Sequence, residues 1–228
     1  MSDGRLRELE RRWKETRAVE DEAAYLLERV RVGKSLSWDT YIRLATIDAV
    51  AARDFLRLQR DRGVLRGSDL ELAGQLGHEP ARLASGIGPP QSEAVPTDSG
   101  QLYARISPLL KTRSLEALAI MAASRAALAC REQVLSPTAA GASERVLLGV
   151  ESWLHCPCEA HVDSIQRLLD TEEAMLTSAF HAAVTVLDGL SEESLITATL
   201  EHSGGVPAIW WAVREALLRE ALGGALGE

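Results

Sequence analysis

One seven-residue segment concentrates cysteine and histidine, the residue types of this chain that are best suited to metal or thiol chemistry. It reads His155-Cys156-Pro157-Cys158-Glu159-Ala160-His161 and contains two of the three cysteines and two of the five histidines. Zinc binds Cys sulfur at ~2.3 Å and His nitrogen at ~2.0–2.1 Å. Cys156, Cys158 and His161 therefore form a candidate set of three zinc ligands, with His155 or a distant residue as the fourth.

The same segment has two other interpretations. It lacks the second Cys-x2-Cys or His-x3-His pair that is typical of a zinc finger. We therefore favour a packing role, in which Cys156 and Cys158 are small buried hydrophobes at a tight turn between two helices. His155 and His161 are then capping or surface groups. The third interpretation is a reactive thiol, because a thiol at a helix N-terminus has a lowered pKa. The sequence thus predicts no cofactor, and zinc is the one cofactor that this segment could bind.

Helical periodicity runs along the whole chain, and strand alternation is nowhere convincing. The sequence predicts an all-α protein of about nine to ten helices, with antiparallel hairpins packed as an α-solenoid-like or bundle array. Gly33 is the expected C′ residue of the second helix, and Ser37 is the expected N-cap of a third that runs to about Arg60. Ser68 or Asp69 is expected to cap a fourth. Pro157 is expected to break the helix at the cysteine cluster, with a new one starting at Pro157 or Cys158.

Composition shifts divide the chain into parts. A segment rich in Gly, Pro and Ser at residues 85–100 is the best boundary. We predict an N-terminal helical module at 1–88, a linker at 89–101 and an acidic helical domain at 102–228.

Charge is distributed unevenly between these parts. Residues 1–88 carry 16 Lys/Arg and 15 Asp/Glu, a net of +1, whereas residues 89–228 carry 9 and 18, a net of −9. An acidic part disfavours nucleic-acid binding, which needs clustered Lys and Arg, and it suits a basic protein partner. No apolar run approaches the ~18 residues of a membrane span, so no membrane insertion is expected. The few cysteines and the charged start, without a signal peptide, indicate a cytoplasmic protein.

Two kinds of residue are candidates for partner binding. Trp210 and Trp211 are adjacent on a predicted helix and point ~100° apart, so one is expected to pack while the other lies at a seam or a partner surface. The acidic candidates begin predicted helices, where the macrodipole favours them without any acid–base role. They are Glu172, Glu173, Glu192 and Glu193.

The C-terminal part resembles a helical family of bacterial putative immunity proteins. The resemblance lies in an Ala-rich helix at 119–135, a helix with Arg145, Leu148 and Trp153, the pair Ala182-Ala183, and the run 210–214. It covers most of residues 113–222 and implies no catalytic residues, because immunity proteins act by occluding a toxin.

The N-terminal part resembles a small helical module of uncharacterised bacterial proteins. The matching stretches are residues 9–33 and 72–83, and the module normally has a short loop where this chain has an insertion around 44–66.

Together these observations predict a non-enzymatic protein-binding protein. Its most concrete form is an immunity-type protein whose acidic part neutralises a cognate, basic bacterial toxin. One alternative is a regulatory or scaffold adaptor in a bacterial defence or signalling pathway. A second alternative is a small zinc-binding protein that uses residues 155–161.

Overall fold

A computed structural model of the protein describes residues 2–89, 94–131, 137–170, 178–202 and 204–226. Within these ranges the chain forms thirteen α-helices and one 3₁₀ turn (Ser107–Leu109) and contains no strand, which confirms the all-α prediction. In chain order the helices are α1 (Ser2–Thr16), α2 (Val19–Arg31), α3 (Trp38–Ile47), α4 (Ala49–Asp61), α5 (Gly67–Gln75), α6 (Glu79–Ser85), α7 (Ser99–Ile106), α8 (Arg113–Arg131), α9 (Pro137–His155), α10 (Glu159–Leu169), α11 (Ser178–Asp188), α12 (Glu192–Glu201) and α13 (Gly205–Leu226).

The predicted number of nine to ten helices is wrong, because polar caps divide or begin helices where periodicity alone gave no break. Asp48 is extended between α3 and α4, and its carboxylate accepts hydrogen bonds from the N–H groups of Val50 and Ala51. His78 caps the short helix α6. Asp98, inside the predicted linker, caps α7 through the N–H of Gln101 at 2.8 Å, so this helix begins before the linker was expected to end.

Other helix ends test the predicted caps. Ser37 is the N-cap of α3, as predicted, and its side chain accepts from the N–H of Thr40. Gly33 follows α2 with a positive φ of 88°, a conformation that favours glycine, so this prediction is also confirmed. The predicted cap at Ser68 or Asp69 is wrong. Helix α5 begins at Gly67 after Arg66, because the Asp69 carboxylate accepts from the Arg66 backbone N–H instead.

The described residues group into two compact units. The first contains residues 2–89 and 218–226, and the second contains the described part of 94–217. The end of α13 thus belongs to the first unit, although the sequence prediction assigned it to the C-terminal domain. The predicted solenoid-like or bundle arrangement of the helices stays a prediction.

The core of the first unit surrounds Tyr41, which is fully buried. Its ring centroid lies 5.3 Å from that of Phe55 and 5.7 Å from the His78 imidazole. His78 Nδ1 accepts from the Ala81 N–H, so Nε2 carries the proton and faces the Tyr41 hydroxyl at 3.4 Å. Burial raises the pKa of the Tyr41 hydroxyl, which therefore stays neutral.

Helix α8 lies at the centre of the second unit, where it packs against α9, α11 and α12. The contact surfaces are rich in alanine, whose small side chain lets helices approach closely. The buried alanines on these helices are Ala117, Ala119, Ala123, Ala127, Ala142, Ala179, Ala182, Ala183 and Ala198. Ser124 on α8 is also buried, and its hydroxyl donates to the backbone oxygen of Ser178 at 2.8 Å, which satisfies both groups.

Candidate functional site

The cysteine cluster forms the corner between helices α9 and α10. Helix α9 ends at His155, and α10 begins at Glu159, directly after Pro157 and Cys158, the two predicted starting positions. Pro157 lacks the N–H that a continuous helix would need, and Cys158 is extended (φ −122°, ψ 160°) as the N-cap of α10. The predicted helix break at the cluster is therefore confirmed.

Backbone hydrogen bonds hold this corner in place. The Cys156 N–H donates to the Ser152 oxygen at 3.0 Å, and the Cys158 N–H donates to the Cys156 oxygen at 2.8 Å. The Val162 N–H donates to the Cys158 oxygen at 3.2 Å and closes the first turn of α10. These three backbone hydrogen bonds help to set the shape of the corner.

The sulfur atoms at this corner are not part of a core. Cys156 is exposed and Cys158 is only half-buried, and both are free cysteines. The interpretation that they are small buried hydrophobes at the turn is therefore wrong. Within the described ranges, no helix or loop covers the Cys156 side chain closely enough to bury it.

Three of the four predicted metal ligands converge. The ligand atoms of Cys156, Cys158 and His161 all lie within 4.8 Å of one another, and Cys158 Sγ is 3.3 Å from His161 Nδ1. His155 does not join them, because its Nδ1 faces the Glu151 oxygen of its own helix at 2.8 Å. In the part of the chain that the structure describes, this is the one cluster of three or more His, Cys, Asp or Glu residues with such spacing.

The two thiols differ in acidity. The backbone N–H of His161 and the thiol of Cys156 both face the Cys158 sulfur, and they lower the pKa of Cys158 because they stabilise its thiolate. The pKa of Cys156 is raised, because its thiol donates to the Cys158 sulfur and a second thiolate would be repelled by the first. The pair therefore ionises first at Cys158.

This order is testable by alkylation. In a Cys130→Ser background, the rate of Cys158 alkylation by iodoacetamide is expected to rise with pH before that of Cys156, since only the thiolate reacts. Cys156→Ala should move the Cys158 profile to higher pH, whereas Cys156→Ser, which keeps an O–H donor, should move it less. Peptide mass spectrometry of samples alkylated at each pH measures the extent of modification of Cys156 and of Cys158. Coincident profiles for the two thiols would contradict the assignment.

The two adjacent tryptophans of α13 have opposite environments. Trp210 is 2% exposed, and the Arg105 guanidinium carbon lies 4.3 Å from its ring centroid. Trp211 is 51% exposed, with the guanidinium carbon of Arg214 5.3 Å from its ring centroid. Trp210 thus packs in the second unit, and Trp211 is the ring that a partner can reach.

Two of the four acidic candidates for partner binding lie in the part of the chain that the structure describes. Glu192 and Glu193 are exposed in the first turn of α12, which Ser191 caps through the Ser194 N–H at 3.2 Å. Glu172 and Glu173 lie outside the described residues.

Sequence reasoning missed the two arginines beside the tryptophans. Arg214 was three positions from Trp211, so the i, i+3 spacing on a helix was a usable signal. Arg105 is far from Trp210 in the sequence, and no local pattern pairs them. Burial lowers the pKa of both guanidinium groups, and the charge of Arg105 lowers that of Arg214 further.

Comparison with known proteins gives no relatives. No protein-family model, no curated protein and no solved structure matches the chain. Among the described helices, none is both long enough and apolar enough to span a bilayer.

Proposed function

We propose that this chain is a non-enzymatic protein-binding protein of the immunity type, which binds and neutralises a bacterial toxin in the cytoplasm. The observation that carries the proposal is Trp211, a large aromatic ring half exposed on the second unit and accompanied by Arg214. Trp and Arg are among the residues that most often dominate the binding energy of protein interfaces.

The helix that carries Trp211 is anchored along its other side. Ile209, Trp210, Val213 and Leu217 on α13 are all buried. The arginine stacked over the Trp211 ring further restricts its side chain. A partner that covers this ring would therefore lose little side-chain entropy on binding.

The charge of the second unit supports a basic partner. Residues 94–217 carry 8 Lys/Arg and 15 Asp/Glu, a net of −7. Many of the carboxylates are exposed, so their field reaches solvent and would speed association with a positively charged surface. Among the described residues of this range, the exposed ones are Asp98, Glu159, Asp163, Asp170, Asp188, Glu192, Glu193 and Glu215.

Co-expression with candidate toxins tests the proposal. Each protein encoded beside this gene would be produced alone and with this chain, and growth would be measured. We expect one of them to arrest growth alone and to form a complex with this chain that restores growth. The Kd of that complex is expected to increase with salt, because exposed charges contribute to it.

Two variants test whether Trp211 lies in the toxin-binding surface. Trp211→Ala is expected to weaken the complex by about 30-fold, or about 2 kcal/mol, as for a hot-spot residue. Leu148→Ala is the matched control, because Leu148 is an equally exposed apolar residue of the same unit. We expect it to change the Kd by less than about 3-fold. The proposal would be contradicted if none of the proteins encoded beside this gene bound the chain, or if the two variants changed the Kd equally.

A further inference from the structure

We infer that Cys156, Cys158 and His161 form a zinc-binding site with three protein ligands and one coordination position open to solvent. The site is independent of the proposed toxin binding, since it lies at the α9–α10 corner and needs no partner to be complete.

The distances among the ligand atoms fit a tetrahedral ion. Bond lengths of ~2.3 Å to sulfur and ~2.0–2.1 Å to nitrogen require sulfur–nitrogen separations of about 3.5 Å and a sulfur–sulfur separation of about 3.8 Å. Cys158 Sγ and His161 Nδ1 are 3.3 Å apart, and all three ligand atoms lie within 4.8 Å of one another. Side-chain adjustments of about 1 Å therefore suffice for coordination.

The chemistry of the ligands selects the class of metal. Two thiolates and an imidazole suit Zn²⁺, whereas Mg²⁺ and Ca²⁺ prefer oxygen ligands. A packing role does not account for the arrangement, because the Cys156 side chain is exposed. A structural disulfide does not account for it either, because linking Cys156 to Cys158 would close a small, strained ring.

The backbone keeps the ligands together without an ion. Cys158 is the N-cap of α10 and His161 lies three residues later, so the first turn of the helix sets their separation. His161 Nδ1 also faces the Cys156 oxygen at 2.8 Å, which links the third ligand to the backbone of the first. When zinc binds, His161 Nδ1 leaves the Cys156 oxygen and coordinates the metal. The proton of the neutral imidazole is then carried by Nε2.

Among the described residues no fourth ligand joins these three, because His155 is held elsewhere. Its Nδ1 faces the Glu151 oxygen on α9, so it does not complete the ligand set. A site with three protein ligands and an exchangeable fourth is the arrangement found in zinc centres that accept water or an external ligand. It should bind more weakly than closed four-ligand sites, with a Kd of about 0.01–1 µM.

A zinc titration of the full chain tests the inference. The protein is reduced with a non-thiol reductant, its free thiols are counted, and ZnCl₂ is added against a chromophoric chelator. We expect one Zn²⁺ per chain. Replacement of Zn²⁺ by Co²⁺ should give the visible absorption of tetrahedral cobalt together with a sulfur-to-cobalt charge-transfer band. If all three thiols of the protein are free and it still binds no Zn²⁺ with a Kd below about 10 µM, the inference is overturned.

Variants assign the ligands. Cys156→Ser, Cys158→Ser and His161→Ala are each expected to raise the Kd by more than about 100-fold, beyond the 10- to 100-fold typical of outer-shell changes. His155→Ala and Cys130→Ser are the matched controls and should change it by less than about 3-fold. Circular dichroism confirms that each variant is folded. Equal losses in the control variants would show that zinc binds elsewhere and would overturn the assignment.

Discussion

Replacing Trp210 with alanine is expected to lower the free energy of unfolding by about 3–5 kcal/mol. The indole is 2% exposed, so its removal loses buried apolar area and leaves a cavity in the second unit. The stacking of Arg105 at 4.3 Å is lost as well. Urea unfolding followed by far-UV circular dichroism measures the change.

The neighbouring residue provides the control. Trp211→Ala removes the same side chain one position later, from a ring that is 51% exposed. We expect its effect on the free energy of unfolding to stay within about 1 kcal/mol, because little buried area is lost. Similar losses for the two variants would contradict the assignment of Trp210 to the core and Trp211 to the surface.

Replacing Phe55 with alanine is expected to destabilise the first unit by a similar amount, about 3–5 kcal/mol. Phe55 is fully buried on α4, and its ring centroid lies 5.3 Å from that of Tyr41. Its loss therefore opens the centre of the aromatic cluster. Tyr41→Phe keeps the ring and removes only the hydroxyl that faces His78, so it should cost about 0.5–1.5 kcal/mol.

An exposed position on the same helix is the control for Phe55. Val50 is 52% exposed in the first turn of α4. Val50→Ala is expected to change the free energy of unfolding by less than about 0.5 kcal/mol, as is typical of surface substitutions. A midpoint of urea unfolding that is unchanged in Phe55→Ala would show that this cluster does not stabilise the unit.

Much of the secondary structure could be predicted because its causes are local. The cap at Ser37, the positive φ at Gly33 and the break at Pro157 each depend on a few neighbouring residues and are confirmed. The missed break at Asp48 was also local, since its carboxylate competes with the helix for two backbone N–H groups. Periodicity could not reveal it, because the apolar stripe continues on both sides.

The candidate site was predicted only in its composition. The Cys-Pro-Cys spacing correctly named Cys156, Cys158 and His161 as neighbours, because all three lie within one turn of a helix start. The role of His155 depended on a side-chain rotamer, which the sequence does not encode. Its hydrogen bond to the Glu151 oxygen separates it from the other three.

The sequence by itself determined the all-α class, several helix boundaries and the residues that meet at the α9–α10 corner. These follow from backbone hydrogen bonding and side-chain spacing within a few residues. Only the tertiary structure decided that the Cys156 side chain is exposed, that Trp210 is covered while Trp211 is not, and that the end of α13 belongs to the first unit. Burial depends on residues that are distant along the chain, as Arg105 is from Trp210, and no local pattern records which of them will cover a given side chain.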